Sequence, residues 1–154
     1  MTEEDHIKMI AEYLNKGDIL KAKNLSFKTI DKYPNSSIAH YNLGYIYSTE
    51  KKFQKAIGYY LSAIKINPNF DVAYLNIGVA YIRLQKIDKA ILTFHNLLII
   101  NPNYIPAYFN LGLAYINKNQ FDKSLEMFEE AHKIDPKDIE IIYQIALLLL
   151  NNKR

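Results

Sequence analysis

An all-α chain built from helical hairpins is what the sequence predicts, on three observations: a 34-residue repeat, apolar residues at helical spacing inside each repeat, and a proline closing it. Pro34, Pro68, Pro102 and Pro136 are each 34 residues from the next. Leu43-Gly44, Ile77-Gly78 and Leu111-Gly112 keep the same period, as do Tyr47, Tyr81 and Tyr115. So do the small residues Ala56, Ala90 and Ser124 and the aromatics Tyr60, Phe94 and Phe128. So many coincidences at one spacing identify a repeat array.

The chain reads as a single domain over residues 1–154, with repeats 3–36, 37–70, 71–104 and 105–138 and a terminal helix 139–151. The first repeat predicts helices over 3–15 and 19–32 and departs most from the others. It has Ile10 where they have glycine, and Ser26 and Thr29 where they have an aromatic and a small or apolar residue; Met9, Tyr13, Gly17, Ala22 and Pro34 still fit. An end repeat packs on one neighbour only, so deviation there is expected. In the second repeat Ala39, Leu43, Ile46 and Tyr47 recur every three or four residues, which predicts a helix over 37–49. The polar run Glu50-Lys51-Lys52 ends it, and Phe53, Ala56, Ile57, Tyr60, Ala63 and Ile64 form the buried stripe of a helix over 53–66. Pro68 stops continuation, because proline lacks an N–H and disfavours helical geometry in the residue before it. The third and fourth repeats predict helices over 71–84, 87–100, 105–117 and 121–134.

A glycine inside a helix costs roughly 1 kcal/mol of propensity, so three at one register imply a packing reason. The expectation is a close crossing of two antiparallel helices, with Gly44 opposite Ala56 and with Tyr47 and Tyr60 filling the space beside them. No phosphate-loop pattern surrounds these glycines.

Residues 39–47, Ala-His-Tyr-Asn-Leu-Gly-Tyr-Ile-Tyr, and residues 107–115, Ala-Tyr-Phe-Asn-Leu-Gly-Leu-Ala-Tyr, resemble tetratricopeptide repeats. The resemblance covers residues 3–151. It implies a right-handed superhelical solenoid of four such hairpins plus the extra C-terminal helix, with the first helix of each hairpin lining a concave groove. It also implies a protein-interaction scaffold that binds a peptide or helix of a partner. The groove slots are then Tyr41, Asn42, Tyr45, Ser48 and Thr49, next Leu75, Asn76, Val79, Ile82 and Arg83, and last Phe109, Asn110, Leu113, Ile116 and Asn117. The strip is apolar and aromatic with an asparagine row along it.

An asparagine amide offers a donor and an acceptor together and so matches both polar groups of a peptide backbone. A similar asparagine ladder is found in the repeat domain of the O-linked N-acetylglucosamine transferases. The competing account is that asparagine is common in this chain and is satisfied by water; both stand open at this point. The carboxylate clamp of co-chaperone members is not expected. Carried onto this chain with Asn42 central, its basic slots fall on Ile7, Val72 and Asn76. With Asn76 central they fall on Tyr41, Pro106 and Asn110, and one repeat further on Leu75, Glu140 and Gln144.

Composition excludes several other classes. The chain has no cysteine, hence no disulfide framework and no zinc–thiolate site. Nineteen basic residues are interspersed with sixteen acidic ones, so no basic stripe for nucleic acid is expected. The acidic start and the shortness of the longest apolar run, Ile145 to Leu150, predict a cytoplasmic protein with no membrane insertion. His6 and His40 occupy the slot held by Tyr74 and Tyr108, which argues for packing; His95 and His132 show no ligand spacing. Asp122, Glu126, Glu129 and Glu130 read as a solvated face beside Lys123 and Lys133. The reading is therefore of a non-enzyme with no metal and no cofactor.

The terminal helix is in register with a first helix whose hairpin partner is missing. Ile141, Ile145 and Leu148 are expected to pack on the fourth hairpin. That leaves Ile142, Ala146 and Leu149 where a second helix would sit, and Leu147 and Leu150 toward the groove. These five form a candidate self-association surface for a homodimer or homo-oligomer; alternatively a longer chain supplies the missing helix. Two other functions follow from that: a self-assembly module, or the recruiting part of a larger enzyme.

Overall fold

The computed structural model describes residues 1–151. Its helices are α1 (Glu3–Asn15), α2 (Ile19–Lys32), α3 (Ser37–Thr49), α4 (Phe53–Ile66), α5 (Asp71–Arg83), α6 (Ile87–Ile100), α7 (Ile105–Asn117), α8 (Phe121–Ile134) and α9 (Ile139–Asn151). These are the expected elements; α5 alone stops one residue early. Among the described residues there is no strand.

Local chemistry sets several of the ends. At α1 the Thr2 side chain accepts from the Asp5 N–H at 3.2 Å, and the Asp5 carboxylate accepts from the Thr2 N–H at 2.7 Å, a reciprocal capping box. Asp18 and Ser36 cap α2 and α3 through single side-chain acceptors. Each hairpin turn then uses one left-handed residue: Gly17 at φ +72°, and Lys51, Gln85 and Asn119 at φ between 57° and 61°. These positions are also 34 apart. After each, an N–H reaches back to a tyrosine carbonyl at 2.8–2.9 Å: Asp18 to Tyr13, Lys52 to Tyr47, Lys86 to Tyr81 and Gln120 to Tyr115. This closure satisfies carbonyls that the helix end leaves open. Only the first turn has glycine, so the other three accept the cost of a side chain in left-handed geometry.

The same tyrosines organise a lysine row. Lys21, Lys55, Lys89 and Lys123 sit over the rings of Tyr13, Tyr47, Tyr81 and Tyr115 at 5.6–5.8 Å from the centroids. Each is a cation–π contact across one turn. Basic residues that look scattered in the sequence thus share a periodic structural use.

The chain forms two compact units, one of residues 1–80 and one from Tyr81 onward. In the first, α1 packs on α2, α2 on α3 and α3 on α4, around Ile10, Ala22 and Ile46. In the second, α6 packs on α7, α7 on α8 and α8 on α9, around Phe128, Ala131, Ile141 and Leu148. Burying each large apolar side chain is worth about 1.5–3 kcal/mol, and this packing holds together helices too short to be stable alone.

The glycines have a packing reason, but their partner is the aromatic. A β-carbon on Gly44 would lie 2.5 Å from Tyr60 ring atoms, and one on Gly112 would lie 2.6–2.8 Å from the Phe128 ring. Tyr60, expected to fill the space beside the crossing, thus takes the volume of the missing side chain itself. Ser124, in the Ala56 slot, meets its glycine through the backbone, donating to the Gly112 carbonyl at 2.9 Å. In the first hairpin the two slots exchange size. Ile10 replaces the glycine, Ser26 replaces the aromatic, and both are fully buried. The volume that α4 and α8 insert toward their first helices is supplied there by α1. Thr29 follows the same logic. Its hydroxyl donates to the Leu25 carbonyl at 2.7 Å and lies 2.9 Å from His6 Nδ1. With its one proton committed, the hydroxyl accepts, so His6 Nδ1 carries the hydrogen.

Candidate functional site

Each unit carries first-helix residues three and four apart, on α3 and α5 in the first and on α7 and α9 in the second. In the first unit, Tyr41 lies between two rings, with Tyr60 at 5.6 Å and Phe70 at 5.1 Å between centroids. Asn76 Nδ2 donates to the Tyr41 hydroxyl at 3.0 Å, which ties α5 to α3. Burial pushes the Tyr60 hydroxyl well above the usual phenol range, and the Ser48 and Asn76 side chains pull it partly back. Tyr41 is thus a fixed wall of the site, and Tyr45, 43 % exposed, is the aromatic presented to solvent. Asn42 is largely covered; Leu75, Asn76 and Val79 are half-buried.

In the second unit Ile82, Phe109, Asn110 and Ile116 are half-buried, and Arg83, Leu113 and Asn117 are exposed. Phe109 meets Phe128 edge-on at 5.5 Å. Asn110 Nδ2 donates to the Pro106 carbonyl at 2.7 Å; a carbonyl only accepts, so the amide orientation there is set by chemistry. Beside it lies a depression of about 280 Å³ lined by Ile105, Pro106, Phe109, Asn110, Asp138 and Glu140.

α9 continues the same slots, as expected for Leu147 and Leu150, and the 34-residue period adds Tyr143 and Gln144, which were not among the expected groove residues. Tyr143 stands in the register of Phe109 and Gln144 in that of Asn110, with Leu147 and Leu150 in those of Leu113 and Ile116. Gln144 Nε2 donates to Glu140 Oε1 at 2.9 Å. The amide row therefore has one N–H already committed at Asn76, Asn110 and Gln144.

α9 packs through Ile141 and Leu148, both buried, with Ile145 against the same cluster. Its opposite side, Ile142, Ala146 and Leu149, is exposed. Among the described residues no group of acids and histidines is arranged to hold a metal ion. His40 Nε2 contacts the Pro34 carbonyl at 3.3 Å and His95 Nε2 the Tyr115 hydroxyl at 3.0 Å, so each ring reaches a residue of a neighbouring repeat. No helix among the described residues is long and apolar enough to cross a membrane.

Residues 37–70 and 105–138 match one tetratricopeptide-repeat family model and residues 59–92 another. Curated protein sequences contain no match. Among solved structures, MamA is 28 % identical over 90 % of this chain and 81 % of its own, with a TM-score of 0.82. A tetratricopeptide repeat protein from Parabacteroides merdae is 25 % identical over 95 % of this chain and 58 % of its own, with a TM-score of 0.84. YrrB, described as a repeat protein with an unusual peptide-binding site, shares the fold at 16 % identity and a TM-score of 0.76, covering 96 % of this chain and 76 % of its own. With more than half of its residues matched by repeat models, and with the hairpins described above, the chain belongs to the tetratricopeptide repeat family, whose members act as protein-interaction scaffolds.

Proposed function

We propose that the chain binds an extended segment of a partner protein through the first helices of its hairpins. One observation carries the reading: a single slot recurs as Tyr45, Val79, Leu113 and Leu147, all apolar or aromatic, and all but the half-buried Val79 are exposed, at 43 %, 37 % and 36 %. Nothing in the hairpin packing calls for an apolar residue there, and apolar surface repeated at one register marks a contact surface. The amides of Asn76, Asn110 and Gln144 lie three residues before that slot, on the same side of the helix, and an amide oxygen can accept from a peptide N–H. Those polar contacts orient a backbone, while the apolar slots supply most of the affinity.

The reading is tested by selecting unstructured 15-residue peptides from a displayed library against the immobilised chain. Enriched peptides are expected to compete with one another. They should lose about tenfold or more in affinity to Tyr45→Ala, Leu113→Ala or Leu147→Ala, with no fall in melting temperature. Enriched peptides indifferent to all three changes would place binding on another face.

A second reading, self-association through α9, is favoured by a separate observation. Ile139, Ile142, Ala146 and Leu149 recur at spacings of three, four and three, the pattern of a helix-pairing seam. The three large residues are 82 %, 43 % and 47 % exposed. Light scattering on the wild type and on an Ile142→Lys, Leu149→Glu variant decides it: a dimer that the variant abolishes supports the seam, and a wild type monomeric at high concentration removes it.

A further inference from the structure

The depression at the junction of α7 and α9 differs from the rest of the first-helix face in its charge. Ile105, Pro106 and Phe109 are apolar, and Asp138 and Glu140 stand beside them. Phe109 is braced by Phe128, and Ile105 packs on the same buried cluster, so the apolar wall belongs to the core of the second unit. The slots of the two acids hold Tyr104 and Pro106 one repeat earlier, and Phe70 and Val72 before that. The acidity is confined to this junction. Asp138 Oδ1 accepts from the N–H groups of Glu140 and Ile141 at 2.9 and 3.2 Å, offsetting the positive end of α9. Its other oxygen takes no part in that cap. Glu140 Oε1 accepts from Gln144, which leaves Oε2. None of the described residues lining the depression is cationic.

We propose that this depression is a specificity pocket for a partner segment in which a large apolar side chain is flanked, within two residues, by lysine or arginine. The inference rests on the peptide-binding reading above and narrows it. The volume of about 280 Å³ lies below the range of small-molecule clefts, about 300–1,000 Å³, and suits one side chain. In an extended segment, residues two apart point the same way at about 6.8 Å separation. A long cationic side chain therefore reaches Asp138 and Glu140 when its neighbour fills the apolar wall. An acidic residue at the same place is repelled, so the pair selects against ligands as well as for them.

The test is a heteronuclear NMR titration of the whole chain with blocked pentapeptides: Gly-Leu-Ser-Arg-Gly, its glutamate-for-arginine form, and its glycine-for-leucine form. The arginine peptide is expected to shift the amides of Ile105, Phe109, Asn110 and Glu140 and to bind roughly fivefold or more tightly than the other two. That preference should fade at about 0.5 M salt. It should also vanish in an Asp138→Asn, Glu140→Gln variant, where asparagine keeps the helix cap. Equal affinity for the arginine and glutamate peptides, or a preference unchanged in the variant, overturns the pocket. Peptides that shift Tyr45, Leu113 or Leu147 without regard to charge overturn the pocket and leave the broader reading standing. No shift anywhere on the first-helix face at millimolar peptide overturns both.

Discussion

α7 and α9 occupy the same place in the repeat, and they differ in what covers their backs. On α7 the slots Tyr108, Gly112 and Tyr115 face the second helix of the hairpin, and the Phe128 ring of α8 fills the space over Gly112. On α9 the corresponding slots are Ile142, Ala146 and Leu149, all exposed. The inner side is the same in kind: α9 buries Ile141 and Leu148 on the fourth hairpin. A first helix in this array thus needs one neighbour to be held and a second to be covered. The glycine marks the covered case, because a partner ring takes the place of its side chain.

The largest expected effect strikes the cover itself. Phe128→Ala should lower the stability of the chain by about 3–5 kcal/mol in urea unfolding, since the ring is fully buried against Gly112 and Phe109. A loss under 1 kcal/mol would mean that α8 is held by other contacts and that α7 is no better covered than α9.

Next comes a matched pair at one register. Gly112→Leu should cost about 1–3 kcal/mol by forcing the helices apart, whereas Ala146→Leu should change stability by no more than about 0.5 kcal/mol. The same denaturation experiment reads both. Equal losses would show that the back of α9 is covered in solution and would bring the self-association seam to the front.

The smallest effect sharpens the comparison through pH. His95 lies against the Tyr115 hydroxyl on the covered side of α7. Burial, and after it the charge of Lys123, holds its pKa below the ordinary histidine value of 6.5. The unfolded chain then binds more protons in the window just under that value. Stability is present in full above about pH 6.5 and declines as pH falls from there through the folded-state value. His95→Gln should flatten the dependence of the unfolding midpoint between about pH 7 and pH 5. An unchanged slope would assign it to other groups.

Much of the candidate surface is legible from the period alone. Tyr45 and Leu113 are exposed, while Val79 at the same register is half-buried, and the same arithmetic extended by 34 reaches Tyr143, Gln144 and Leu147. The state of the amides is not legible. Asn76 bonds to Tyr41, Asn110 to its own helix and Gln144 to Glu140. Identical slots take different partners because the residues around them differ. The charge at the α7–α9 junction also escaped the sequence reading, because Asp138 and Glu140 come next to Phe109 only after the fourth hairpin folds back.

The sequence by itself determined the nine helices of the described residues, their ends within a residue, and the faces that they turn inward. Helical period, capping residues, and the chain stops at Pro34, Pro68, Pro102 and Pro136 are local, and each acts within a few residues of its own position. Only the tertiary structure decided how closely the Tyr60 and Phe128 rings sit over Gly44 and Gly112, and that Ile10 and Ser26 exchange those roles in the first hairpin. It also placed four evenly spaced lysines over four tyrosine rings. Those outcomes turn on distances of a few ångströms between helices, and such distances are set by the combined volume of side chains far apart in the chain.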